Sequence, residues 1–535
     1  LIKRFFNDPF SSLILAFLVL AAVVVYGLLS YAHLRPGAPL IYTYEDPYIH
    51  MSMAKNLALH GVMGLNPGEF TSSSSSILWT LTLAGFYKLF GVNSEGPLWL
   101  NLLFSCLVVW QSWRMLRRAV GDRPWLLLGG TLAVVLFTPL APLILSGMET
   151  SLHICLALLF LETALELLSP AGGRVGWGAA ARLLVTGALF AFTRYEDLAM
   201  IGFVSVLLVL VCRQFKIAAL LMAASLIPMT VFGLYALSQG WSFLPNSLLI
   251  RGVSGVFNDP FAAMPSRISQ LWGQPHLFVL MMAALGGLLL DLIRPLSSTR
   301  PRWIATVFVL TLMAHILVDQ FGYFYRYEAY LMATGSLAMV MLWGPRIGSS
   351  VGRISRASTE SEIRALMAGL LIFLALMPLY VRGMTALRET PYAMANTYDQ
   401  QYQMARFLNR YYKGQGVALH DIGVVSFLSD VYVIDLVGLA NRDTARVRLE
   451  GAPPSQVIDG ELAAHQVKIA ITYKGVVYLP ADWIEVGDWT VDRRVTVGAT
   501  TVTFYASDQA GAEAMRAHLV EFAPELPAGV RWKVR

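Results

Sequence analysis

Two carboxylates stand side by side in YTYEDPYIHMSMAKNL, Glu45 and Asp46, followed by Tyr48, His50 and Lys55. Adjacent acids raise one another's pKa, which suits a group that has to take a proton from a hydroxyl. The competing reading is helix capping. A carboxylate ahead of Pro47 would meet the unpaired N–H groups of a helix start, and that accounts for one acid better than for two. Further polar and ionisable groups recur at the ends of apolar runs: Glu149 in GMET, Arg194, Glu196 and Asp197 in TRYED, Asn246 and Arg251 in LPNSLLIRG, and His315, Asp319, Tyr325, Arg326 and Glu328 in HILVDQFGYFYRYE. Guanidinium forks match phosphate oxygens, and tyrosine rings stack on sugar faces. Structural readings stand beside each of these. Arg194 could pair with Glu196 or Asp197, Arg326 could anchor an interfacial aromatic belt, Lys55 could snorkel, His50 could lie on the surface, and Glu149 could cap a helix. Histidines are scattered, and no Cys or His pair has metal-ligand spacing.

The elements that would hold these residues are set by composition. Of 535 residues, 56% are hydrophobic and 14% charged, against about 25% charged in soluble domains, and the mean hydropathy is +0.58. Apolar runs long enough to cross a bilayer recur and are interrupted by Gly and Pro, which predicts a polytopic α-helical membrane protein and not a β-barrel. The net charge of +6 resides in short basic segments between apolar runs, the pattern of cytoplasmic loops, so nucleic acid is not an expected partner. Cys106, Cys155 and Cys212 fall within apolar runs, where a disulfide framework is not expected. The first apolar run, preceded by Lys3 and Arg4, reads as a retained anchor.

Topology then decides which face each charge occupies. The stretch from 77 to 91 would be roughly 22 Å long as a helix, too short for the hydrocarbon core, and reads as a juxtamembrane helix on the outer surface. Spans are then expected near 13–31, 97–113, 125–145, 151–168, 181–193, 198–212, 216–238, 276–293, 303–319, 329–344 and 363–381. With this assignment the segments around Arg114 to Arg123, Arg174 and Arg182, Arg213 to Lys216, Arg294 to Arg302 and Arg346 to Arg364 all face the cytoplasm. Nearly every other charge at a helix end gathers on the opposite face, together with the first outer loop, 32–96. Ionisable groups near an apolar core are costly unless paired or wet, so a one-sided cluster marks a site. Residues 1–384 are expected to form the membrane domain. Residues 385–535, where β-branched segments such as VYVIDLV, VKIAITY and VTVGATTVTFYA begin, are expected to form a soluble extracytoplasmic α/β domain. The serine run at 72–76 reads as a flexible or capping lead-in to the juxtamembrane helix.

The order of these motifs resembles a known family. An acidic pair after the first span, an NPG turn at Asn66 to Gly68, a serine-rich stretch, a juxtamembrane helix, GMET, TRYED, PNS with a basic residue shortly after, and an aromatic RYE follow one another along most of the chain. This resembles the GT-C glycosyltransferases that use polyprenyl-phosphate sugars, most of all their terminal arabinofuranosyltransferase branch. VALHDIGVVSFLSDVYVIDLVGLAN is similar to the start of that branch's extracytoplasmic domain. The branch commonly carries two aspartates where this chain has Glu45 and Asp46. The resemblance implies a GT-C-like fold of about eleven spans and an active site on the outer face of a bacterial inner membrane. It also implies a lipid-linked sugar donor and a glycan, glycolipid or protein acceptor, with no cofactor and a divalent metal left open. Carried over, Asp46 is the first choice for the catalytic base and Glu45 the second. Arg194, Arg326, Arg251 and Lys55 are expected at the donor phosphate, and Tyr48, His50, Glu149, Glu196, Asn246, His315, Tyr325 and Glu328 at the substrates. Two other classes compete: a transporter or flippase of an anionic lipid, which predicts charges on both faces, and a scaffold with an inactive site.

Overall fold

The computed structural model describes residues 8–169, 176–250, 264–318, 321–354 and 359–535. Fourteen helices of the bundle follow in order: α1 Pro9–Leu34, α2 Asp46–His60, α3 Ile77–Phe90, α4 Gly96–Val120, α5 Pro124–Phe137, α6 Leu140–Leu145, α7 Thr150–Leu168, α8 Trp177–Thr193, α9 Leu198–Leu210, α10 Phe215–Ser238, α11 Pro275–Ile293, α12 Arg300–Val318, α13 Ala329–Ile354 and α14 Thr359–Thr397. Short helical pieces at Asn246–Leu248 and Met264–Trp272 lie between α10 and α11. Each expected span coincides with a helix, the 125–145 span being broken into α5 and α6 around Pro139. By length and composition, six described helical stretches are long and apolar enough to cross a membrane, and the chain is a multi-pass membrane protein. The α3 helix is a short element packed against α2. Apolar side chains such as Leu18, Leu29, Val231, Leu289 and Leu371 are exposed along the bundle's outside, where lipid rather than water would meet them.

Beyond α14 the chain continues through α15 Gln403–Tyr411 into a small α/β unit: β1 Gly416–Leu419, α16 Gly423–Leu428, β2 Tyr432–Asp435, α17 Arg442–Glu450, α18 Ser455–Ala464, β3 Ile469–Thr472, β4 Ile484–Val491, β5 Thr501–Ala506, α19 Gln509–Phe522 and β6 Val530–Val534. The six strands run in the order β2-β1-β3-β5-β4-β6, with β1 parallel to β2 and β3 and the remaining pairs antiparallel. An aromatic core of Phe407, Trp489, Phe504 and Phe522 holds α15 and α19 against the sheet. The expected domain boundary at 384/385 falls inside α14, which runs unbroken from the bundle toward this unit.

The sheet unit docks on the end of the bundle where α1 finishes and α2 begins. Arg35 pairs with Asp399, Thr496 Oγ1 donates to the Thr43 carbonyl at 2.5 Å, and Ser52 and Ser426 hydroxyls lie 2.8 Å apart. At the opposite end one expectation is corrected. Acids are not confined to one face: Arg114 and Arg118 pair with Glu162, Arg182 with Glu166 at 2.7 Å, and Arg302 and Arg346 with Asp291 at 2.8 and 3.1 Å. These carboxylates neutralise the basic loops, whose arginines would otherwise repel one another.

Candidate functional site

Glu45 is not used for capping. Glu45 occupies the N-cap position of α2, with Pro47 in the first turn, yet its side chain makes no cap hydrogen bond. Each acid faces a different partner. Asp46 Oδ2 accepts from Arg326 Nη1 and Nη2 at 3.2 and 3.3 Å, and Tyr323 Oη donates to Oδ1 at 3.4 Å. Glu45 Oε2 instead accepts from the Gly423 backbone N–H of the sheet unit at 3.0 Å. Neighbouring residues on one chain thus belong to two surroundings.

Arg326 is wholly buried at the head of α13 and ringed by tyrosines, its guanidinium carbon 5.4, 4.8 and 5.0 Å from the ring centres of Tyr44, Tyr323 and Tyr327. The turn that delivers it is unusual. Tyr323, Phe324 and Tyr325 all have positive φ, of 43°, 56° and 67°, a run of strained residues of the kind that persists where surroundings over-determine it, often at functional sites. Arg194 stands at the end of α8, 5.2 Å from the same Tyr327 ring, donates to Glu149 Oε1 at 3.0 Å and pairs with Glu196. Burial works against charge on Glu149, yet Arg326 and Arg194 outweigh it and hold its carboxyl down to about 2. Two arginines and two acids therefore form one electrostatic cluster beside Asp46. Gly147 lets the GMET turn approach: it has φ +75°, and a Cβ there would lie 2.7 Å from the Tyr42 ring and 3.1 Å from Pro47. That contact sets Glu149 beneath the start of α2.

Other expected residues occupy the neighbourhood in different ways. His50 is buried, with Nδ1 2.9 Å from Thr80 Oγ1 and Nε2 3.3 Å from Ser75 Oγ, so the surface reading of His50 does not hold. The serine run is a buried shelf for α2 and not a flexible lead-in, although Ser76 does cap α3. Tyr48 is buried, its hydroxyl accepting from the Tyr42 N–H at 3.1 Å. Lys55 donates to the Phe427 carbonyl of the sheet unit at 3.2 Å, and Asn246 Nδ2 to the Gly438 carbonyl at 3.0 Å. Glu328 is joined to Arg382 at 2.6 Å, over whose guanidinium the Tyr325 ring packs at 5.0 Å. His315 Nδ1 lies 3.3 Å from Tyr330 Oη. Arg251 and Asp319 lie outside the described residues.

Three participants escaped the sequence reading. Arg382 ties Glu328 to His276 and to the Phe137 carbonyl; an arginine inside LMPLYVRGM was the available signal. His153 pairs with Asp197 at 2.8 Å, both buried, and sits one helical turn after Glu149. Asp421 accepts from Gln401 at 2.7 Å, from Tyr473 and from His420. Burial of Asp421 is outweighed by His420, Tyr473 and Gln401, which hold its carboxyl below the usual range. Glu45 goes the other way. Burial, then the charges of Asp421, Asp46 and Asp435, push its carboxyl well up, with the Gly423 N–H only partly opposing. Among the described residues no three His, Cys, Asp or Glu side chains gather as a metal site would need.

Comparison with known proteins adds the following. A family profile described as a domain of unknown function, DUF8728, matches residues 392–505. No curated protein matches by sequence. Among solved structures, the chain is similar to ArnT from Cupriavidus metallidurans in the apo state, with 14% identity, TM-score 0.49, and coverage of 92% of this chain and 98% of that one. The same ArnT bound to undecaprenyl phosphate gives 13% identity, TM-score 0.47, and 93% and 98% coverage. An Archaeoglobus fulgidus oligosaccharyltransferase tethered with an acceptor peptide gives 12% identity, TM-score 0.48, and 96% and 75% coverage. None of the three is described as an arabinofuranosyltransferase.

Proposed function

We propose that this chain is a glycosyltransferase that moves a single sugar, an arabinofuranose by the motif resemblance, from a polyprenyl-phosphate donor to a glycan, glycolipid or protein acceptor. The site would open on the outer face of a bacterial inner membrane, with the N-terminus cytoplasmic and the sheet unit outside. One observation carries the reading: a partly exposed carboxylate, Asp46, lies against a buried arginine in a cage of tyrosines, with a second arginine on the same ring. A proton acceptor and an anion-binding pair are the two needs of transfer from a lipid phosphate.

In this reading the acceptor hydroxyl attacks the anomeric carbon and its proton passes to Asp46. The bond from that carbon to the phosphate oxygen breaks, and both electrons leave on the polyprenyl phosphate. Single displacement inverts the anomeric centre. Arg326 and Arg194, joined by Arg251, neutralise the leaving phosphate, so no metal is required. The donor phosphate competes with Asp46 for the Arg326 fork, and its arrival releases the carboxylate toward the acceptor. Glu45, whose carboxyl faces the sheet unit, is the second candidate for the base.

The test is to incubate purified protein in nanodiscs with synthetic polyprenyl-phosphate sugars and soluble acceptors. Transfer by the wild type and its loss in Asp46→Asn are expected. Label that crosses the bilayer with its sugar–phosphate bond intact would favour a transporter instead, and unchanged transfer in Asp46→Asn would remove Asp46 as base.

A further inference from the structure

A cleft of about 240 Å³ opens where the first outer loop, the turn after α10 and the sheet unit meet. It is smaller than the ~300–1,000 Å³ pockets that enclose drug-sized ligands, so it suits a single ring with its neighbours outside. Its walls are built, not incidental. Asn66 pairs with Val433 like a strand, donating to its carbonyl and accepting from its N–H at 3.0 Å each. Arg442 Nη1 donates to the Gly240 carbonyl at 3.1 Å and fixes the turn that carries Trp241. Trp241 stands edge-on to Phe70, 6.3 Å between ring centres. Tyr432 stacks on His465 at 4.5 Å and donates to the Glu69 carboxylate at 2.8 Å.

The chemistry of this lining selects its occupant. The carboxylates of Glu69, Asp443 and Glu461 line the cleft against the guanidinium of Arg442, which is already joined to Asp443 at 3.3 Å, and this disfavours a phosphate or other anion; Asp435 lies buried behind them, its two oxygens accepting from the Val437 and Ala440 N–H groups. No three of the acids and histidines converge as metal ligands among the described residues. Glu69 already accepts from one hydroxyl, that of Tyr432, and a carboxylate so used beside the partly buried rings of Trp241 and Tyr432 is the complement of a sugar ring, which has polar edges and apolar C–H faces. The sheet unit that walls the cleft also reaches the acid pair, through the Gly423 N–H 3.0 Å from Glu45 Oε2.

We propose that this cleft binds one ring of an uncharged saccharide, and that the ring belongs to the acceptor. Binding itself stands on the cleft alone, whereas the acceptor role rests on the transferase reading above. The experiment is saturation-transfer NMR on full-length protein in nanodiscs, using a panel of soluble arabinofuranosyl, mannosyl and glucosyl trisaccharides. At least one should bind, and its Kd should weaken tenfold or more in Glu461→Gln, a change that keeps the side chain's size and removes its charge, and in Trp241→Ala. Glu513→Gln, exposed on α19 away from the cleft, should bind equally well. Failure of every trisaccharide, equal binding in the cleft variants, or binding of an oligolysine peptide in place of the saccharides overturns the proposal. Transfer with unchanged acceptor KM in the cleft variants removes the acceptor role and leaves the transferase reading intact. Saccharide binding that the cleft variants weaken, without transfer from any lipid donor, supports the cleft and sinks the transferase reading.

Discussion

Asp46 and Glu45 differ by one position in the chain and by everything around them. Asp46 is partly exposed, whereas Arg326 is wholly buried and also faces Glu149, so losing the guanidinium leaves a buried carboxylate poorly compensated; removal of one member of a buried ion pair costs about 3–5 kcal/mol. Arg326→Ala should therefore lower the thermal midpoint of the purified protein by several degrees, while Arg326→Lys keeps the charge and most of the fold but loses the fork geometry. Asp46→Asn is expected to bind a polyprenyl phosphate several-fold more tightly than the wild type, because the phosphate no longer competes with a carboxylate for Arg326. Weaker binding in a titration of that variant would contradict the exchange. Glu45 makes a pH prediction. Its folded-state pKa is raised, by burial first and by Asp421, Asp46 and Asp435 next. Stability linked to it is thus fully present below the ordinary carboxylate range and is lost as pH rises through the folded value. Thermal melts should fall from acid toward neutral and alkaline pH in the wild type and flatten in Glu45→Gln; an equal slope in both would rule Glu45 out as the cause.

The elements around this site are short turns at helix starts, held by close approaches. Gly423 has no room for a side chain: a Cβ would lie 2.3 Å from the Glu45 carbonyl oxygen and 3.2 Å from Ile49. Gly423→Ala should weaken docking of the sheet unit by at least the ~1–3 kcal/mol typical of overpacking, seen as faster proteolysis between α14 and β1; unchanged proteolysis would show that the contact is dispensable. The apolar periods and basic loops made the helices legible, because burial in lipid is written in composition and length. The acid pair, TRYED and RYE were legible because charges beside apolar runs need partners. Which partner was not legible. Arg326 to Asp46 spans 280 positions, and nothing local announces that Lys55, Asn246 and Glu45 turn toward the sheet unit. The burial of His50 and of the serine shelf was not legible, because a polar run resembles a loop until α2 and α3 close over it. Acids at the far end, Glu162, Glu166 and Asp291, were missed as counterions for the same reason.

At the scale of the whole molecule, a lipid-facing bundle carries a sheet unit on one end, and the ionisable cluster lies at their junction. In the proposed reading the lipid-linked donor would meet the bundle and the polar acceptor the sheet unit. Its orientation in the membrane is testable apart from any chemistry: a cysteine at position 92, in a background without Cys106, Cys155 and Cys212, should react with an impermeant maleimide added from outside, and protection there would invert the proposed topology. The most direct test of the central claim is the single-turnover rate of sugar transfer from a polyprenyl-phosphate donor in wild type, Asp46→Asn and Glu45→Gln. With Asp46 as general base, Asp46→Asn should lose about 10²–10⁴-fold while Glu45→Gln stays within a few-fold of wild type. Full transfer by Asp46→Asn, or its abolition only in Glu45→Gln, would contradict the account.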